Sequence, residues 1–171
     1  FAHDWGAMIS LRIVADQPEL FKKAAISYGY LFEGKEAIPE SFENFRTYAK
    51  SDTTFSAGNI MNWGSNKELA DSIRLKYDLP FKTESDYYAV RKFPSLIPTD
   101  EHEEEALINQ KLNRKLKQFD KPFITIWGNH KDPMWLGKDS VLQVKIPGAK
   151  NQEHFTLDSN HFIQEDQPEE L

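Results

Sequence analysis

The chain contains no cysteine, which excludes disulfides, thiolate metal sites and cysteine nucleophiles together. Its 5 histidines show no metal-ligand spacing, neither HExxH nor a comparable pair, so neither a metal nor a cofactor is expected. No apolar run approaches the roughly 18 residues that a membrane-spanning helix needs, and no secretory leader is visible. Positive charge is also in short supply. A net charge of −6 argues against nucleic acid or an anionic membrane as partner, because affinity there comes from neutralising phosphates. The absence of cysteine fits a cytoplasmic location. What the chain holds in quantity is aromatic side chains: 12 Phe, 6 Tyr and 4 Trp in 171 residues, enough for a sizeable core in one domain's length.

The opening stretch Phe1-Ala2-His3-Asp4-Trp5-Gly6-Ala7 runs an acidic residue and small neighbours straight into an amphipathic segment. This is the pattern of a nucleophile elbow, a tight strand-to-helix turn that exposes one reactive side chain above a sheet. Small residues beside the reactive group let the turn be tight and let backbone N–H groups approach. An ordinary surface loop with an Asp N-cap has the same local pattern. The sequence does not begin with Met, and its end, Pro168-Glu169-Glu170-Leu171, reads as the first turn of a helix. The expectation is a fragment cut at both ends, with the strand that feeds the elbow lying outside it.

From Gly6 to Gln17 the residues Ala7, Leu11 and Val14 recur at helical spacing. Ala24-Ala25-Ile26-Ser27-Tyr28 reads as a buried strand, so strand, helix and strand follow the rhythm of a parallel sheet. Between Tyr30 and Asp120 no strand pattern occurs. Ser41 is a candidate cap for a helix carrying Phe42, Phe45 and Tyr48. Ser65 with Glu68 reads as a capping box before Leu69, Ile73 and Tyr77, and Thr83 with Asp86 as the start of a third helix. A fourth spans Glu103 to Phe119, with acidic residues at its start and basic ones at its end, as the helix dipole favours. Sheet rhythm returns at Pro122 to Trp127 and at His154 to Leu157. The expected organisation is therefore a core segment at 1–30, a helical cap at 31–119 and a second core segment at 120–171.

Three polar residues, Asp4, Asp132 and His161, fall where strands of one parallel sheet would end, the place where open α/β sheets bind ligands. Taken singly, Asp132-Pro133 is also an ordinary turn and His161 an ordinary residue at a helix start. Their order of nucleophile, acid and histidine is that of α/β-hydrolases. An aspartate with an ordinary pKa of about 3.9 is ionised at neutral pH and needs no base to attack. It displaces a leaving group from carbon and leaves an alkyl ester. A histidine near neutrality then deprotonates the water that hydrolyses the ester, with the second carboxylate stabilising the imidazolium.

Asp4-Trp5-Gly6-Ala7-Met8-Ile9-Ser10-Leu11, the stretch from Phe81 to Pro98 with Arg91-Lys92-Phe93-Pro94, and Ser159-Asn160-His161-Phe162-Ile163-Gln164-Glu165 together resemble a haloalkane dehalogenase along essentially the whole chain. The resemblance implies the C-terminal portion of an α/β-hydrolase fold, a mostly parallel sheet with flanking helices and an inserted helical cap. It implies Asp4 as nucleophile, His161 as base and Asp132 as acid. Some members carry the acid one strand earlier, but here Tyr28-Gly29-Tyr30 is followed by no acid until Glu33. It further implies Trp5 and Trp63 as halide-binding indoles, and Phe93 and Pro94 as substrate-lining residues. Asn160 stands where the family has Gly, and Asn tolerates a left-handed turn. The expected partners are a small halogenated substrate and water, no nucleic acid and no membrane, with a monomer when intact. The fragment alone, without the N-terminal part, is expected to be inactive. Two alternatives stay open: an epoxide hydrolase of the same superfamily, using acids among Tyr48, Tyr77, Tyr87 and Tyr88, or a catalytically silent module of the same fold that binds a ligand.

Overall fold

A computed structural model describes residues 1–51, 55–129 and 132–171. In chain order the elements are β1 (Ala2–His3), α1 (Asp4–Asp16), β2 (Ala24–Ser27), α2 (Glu40–Lys50), α3 (Ala57–Trp63), α4 (Asp71–Asp78), α5 (Tyr88–Lys92), α6 (Glu104–Leu116), β3 (Phe123–Gly128), α7 (Lys138–Lys145), β4 (Phe155–Leu157) and α8 (Ile163–Asp166). The strands form one sheet in the order β1-β2-β3-β4. β1 pairs in parallel with β2, Ala2 opposite Ile26, and β2 with β3, Ala24 opposite Phe123. Two strand residues, Ala2 and His3, directly precede Asp4, where none was expected.

The chain divides into two compact units. One comprises Phe1–Ala37, Ile97–Trp127 and Trp135–Thr156; the other comprises Ile38–Leu96, Gly128–Met134 and Leu157–Leu171.

In the first unit α1 buries Ala7, Met8, Leu11, Val14 and Ala15, the face that the apolar spacing predicts, and leaves Ile9 and Ile13 exposed. α6 packs on α1 and buries Ala106, Leu112 and Leu116. Between β2 and Glu33 the chain runs buried outside the strands: Leu31 and Phe32 are each 1% exposed. Buried carbonyls need donors, and two asparagines of α6 supply them. Asn109 Nδ2 donates to the Phe32 carbonyl at 2.7 Å and Asn113 Nδ2 to that of Leu31 at 2.9 Å. Asn109 Oδ1 in turn accepts from Arg12 Nε at 3.0 Å. A histidine does similar work on β3. His154 Nδ1 accepts the Thr125 backbone N–H at 3.1 Å, and Nε2 lies 3.1 Å from the Ala149 carbonyl. That pattern assigns the proton to Nε2.

Two expected helix starts differ in the second unit. α2 begins at Glu40, one residue ahead of Ser41, because the Pro39 carbonyl takes the N–H groups of Phe42 and Glu43. α4 begins at Asp71, and no capping box forms at Ser65. The Ser65 hydroxyl donates back to Met61 O at 2.8 Å, and the Leu69 N–H is taken by Asn62 Oδ1 at 2.7 Å. The Thr83–Asp86 start does form. The Asp86 carboxylate accepts the backbone N–H groups of Thr83 and Lys82 at 2.8 and 2.9 Å, which hold its carboxyl below the ordinary value.

Replacing Asn109 with Ala strands the Phe32 carbonyl in the core. The expected loss is about 1–3 kcal/mol of unfolding free energy, read as a lower urea midpoint with an unchanged m-value.

Candidate functional site

The opening turn is as sharp as its sequence pattern requires. His3 is extended (φ −130, ψ 144) and Asp4 lies in the left-handed region at φ 52, with the helix already begun. A residue with a Cβ costs roughly 1–2 kcal/mol in that region, so the neighbours must hold it there. On one side His3 is locked by pairing with Ser27, and its ring meets Tyr28 edge-on at 5.7 Å. On the other, the wholly buried Ala7 seats α1 against Gly29. A Cβ on Gly29 would lie 2.4 Å from the Ala7 Cβ and 3.0 Å from Ile26 Cγ2. A Cβ on Gly6 would meet nothing within 4 Å among the described residues. Among the described residues, the close approach at this turn is between Ala7 and Gly29. Asp4 is partly buried and opens the first turn of the 13-residue α1, where the helix dipole favours the ionised carboxylate. Trp5 follows it in that turn, also partly buried.

In the second unit Asp132 and His161 come together. Asp132 stands four positions after the end of β3 and His161 four positions after the end of β4. Asp132 Oδ1 accepts the Met134 N–H at 3.0 Å, an Asx-type turn across Pro133. This leaves Oδ2 facing His161 Nδ1 at 3.5 Å. The separation is longer than a good N–H···O bond. Both side chains are largely shielded, at 13% and 25% exposure, so their electrostatic interaction is screened less than at a surface. The His161 ring is set edge-on against Phe162, 4.8 Å away.

The same unit holds the remaining candidates. Trp63 ends α3 and is 58% exposed, with its ring edge-on to Tyr48 at 4.9 Å. Phe93 is partly buried and Pro94 buried, in the turn after α5, and the Pro94 carbonyl accepts Arg46 Nε at 2.9 Å. Of the tyrosines, Tyr48 accepts the Ser56 N–H at 3.0 Å. Tyr77 is bonded to the Glu165 carboxylate, and burial followed by that contact pushes its pKa up to about 12. Among the described residues no group of three or more His, Cys, Asp or Glu could hold a metal ion, and no helix is long and apolar enough to cross a membrane. Sequence reasoning missed Asp166, a buried carboxylate in the helix after His161. The only signal was its place in Glu165-Asp166 behind an apolar Phe162-Ile163 pair.

No protein-family model matches the chain. Among curated proteins it is similar over all 171 residues to a haloalkane dehalogenase of Mycolicibacterium paratuberculosis, 34% identical, and to one of Mycobacterium marinum, 32% identical. It covers 56% and 57% of their lengths, so the chain spans little more than half of the curated relatives it matches. Of solved structures, a haloalkane dehalogenase of Paraglaciecola agarilytica, described as tetrameric, superposes with a TM-score of 0.81 at 19% identity. That match takes in 96% of this chain and 55% of the other. One from Agrobacterium tumefaciens gives 0.72 at 20% identity, over 98% and 60%. The fold is accordingly that of the α/β-hydrolase haloalkane dehalogenases, a parallel sheet with flanking helices and a helical insertion between β2 and β3.

Gly29→Ala tests how the opening turn is held. Overpacking against Ala7 and Ile26 is expected to cost about 1–3 kcal/mol, seen as a lowered Tm. Gly6→Ala, whose added Cβ meets nothing within 4 Å among the described residues, is expected to leave this packing intact.

Proposed function

We propose that this chain, similar over its whole length to the haloalkane dehalogenases, works in the hydrolytic removal of halide from small haloalkanes. The observation that carries the proposal is the left-handed Asp4 at a strand-to-helix junction, a strained placement of the kind kept for a reactive group. Support comes from the facing pair of Asp132 and His161 and from the likeness to proteins of that name.

The steps follow from the residue types. The Asp4 carboxylate attacks the halogen-bearing carbon. A carbon–oxygen bond forms, the carbon–halogen bond breaks and halide leaves, giving an alkyl ester on Asp4. Indole N–H groups of Trp5 and Trp63 donate to the departing halide, which develops charge only as the bond breaks. His161 then takes a proton from water, and the hydroxide attacks the ester carbonyl. Alcohol departs, the carboxylate is regenerated, and the proton passes from His161 to solvent. Asp132 orients the imidazole and stabilises its charged form. Phe93 and Pro94 line the path of the apolar chain. No metal or cofactor takes part. Opening an epoxide instead requires an acid for the ring oxygen, and Tyr77, held by Glu165 with its pKa raised, is a poor one.

The test uses the full-length protein with 1-bromobutane and 1,2-dibromoethane, following bromide. Wild type is expected to release bromide catalytically and Asp4→Ala none. His161→Gln should release about one equivalent and then stall as an alkyl ester visible by mass spectrometry, with turnover lower by about 10²–10⁴-fold. No bromide from folded wild type overturns the proposal. A parallel assay with 1,2-epoxybutane then separates an epoxide hydrolase from a silent binding module.

A further inference from the structure

Asp166 is 5% exposed and its two oxygens are bonded to two different loops of the second unit. Oδ2 accepts the Asn160 N–H at 2.9 Å and Oδ1 accepts the Asn66 N–H at 2.8 Å. A buried carboxylate is tolerated where strong hydrogen bonds meet its lone pairs, and here both donors are backbone amides. Asn160 is the residue before His161, and Asn66 lies three residues beyond Trp63.

Other contacts tie the same two loops. The Phe162 N–H donates to the Gly64 carbonyl at 3.1 Å, and Asn66 Nδ2 donates to the Asp158 carbonyl at 3.3 Å. A Cβ on Gly64 would sit 2.5 Å from the Phe162 ring, so the chain after Trp63 runs in contact with the chain after His161. Tyr77 of α4 holds Glu165, the neighbour of Asp166, at the far side of the short helix. At 3.5 Å from Asp132, His161 is not aimed by that carboxylate alone. Its ring direction depends on the backbone that carries it.

We propose that Asp166 is the positioning residue for His161: its carboxylate clamps the Asn160 peptide to the loop behind Trp63, and so sets the direction from which His161 meets water. This rests on His161 being the base of the proposed reaction. Asp166 touches neither substrate nor reacting atoms and acts through the backbone. An Asn in its place turns an NH2 donor toward one of the two backbone N–H groups, so one of the two contacts is lost.

The signature is a split between the two chemical steps. In full-length Asp166→Asn, the single-turnover burst of bromide from 1-bromobutane is expected at the wild-type amplitude. Steady-state turnover should fall about ten- to hundred-fold, the scale on which supporting groups behind a site act, and alkyl ester should accumulate by mass spectrometry. Gln167→Ala removes a side-chain bond to the Asp158 carbonyl and leaves both amides on Asp166, so its ratio of burst to turnover is expected to be that of wild type. Should Asp166→Asn fail to fold, Asp166→Glu keeps both acceptors on a longer stem and should accumulate ester in smaller measure. An unchanged ratio and no ester in a folded Asp166 variant overturn the inference. Absence of bromide from wild type, by contrast, defeats the proposed reaction itself, so the two failures are distinguishable.

Discussion

A single left-handed residue carries the architecture around it. Asp4 stands at φ 52 between a strand and a helix, and an L residue stays there only if both flanks forbid relaxation. β1 supplies one restraint through its pairing with β2. The other comes from the contact of Ala7 with Gly29, too close for any side chain on the glycine. That contact seats the start of α1, whose buried stripe Leu11, Val14 and Ala15 then completes the docking. The strain at one residue is offset by packing spread over the next dozen.

A second recurring device is the use of buried polar side chains to finish what the sheet leaves undone. The segment after β2 is buried outside the strands, and the carbonyls of Phe32 and Leu31 are met by Asn109 and Asn113. His154 meets a backbone N–H of β3, and Asp166 meets two N–H groups on loops. Each case is the same requirement, that buried backbone groups be paired, answered by a side chain where secondary structure cannot answer it. These bonds also fix the conformation of the segments they meet.

Charge placement on the candidate residues is consistent with their proposed steps. Asp4 opens a helix whose dipole favours the anion, which suits a nucleophile that must be ionised to act. Asp132 spends one oxygen on its own turn and presents the other to His161, so a single carboxylate shapes the loop and faces the imidazole.

Much of this was legible in order along the chain. The 3.6-residue spacing of Ala7, Leu11 and Val14, the apolar runs at Ala24 and Phe123, and the Asp4-Trp5-Gly6-Ala7 pattern are local signals, and local signals determine elements and sharp turns. The sequence by itself thus determined the parallel βαβ rhythm, the helical stretch that follows, and the order Asp4, Asp132, His161. Tertiary structure decided which polar residues found partners. Ser65 had the spacing of a capping box but its hydroxyl turned back to Met61, while Asn62 took the N–H of Leu69. Asn109 answers a carbonyl 77 positions away, and Asp166 an amide 100 positions away. A hydrogen bond between residues so far apart leaves no periodicity behind it, because its geometry exists only once the intervening chain has packed.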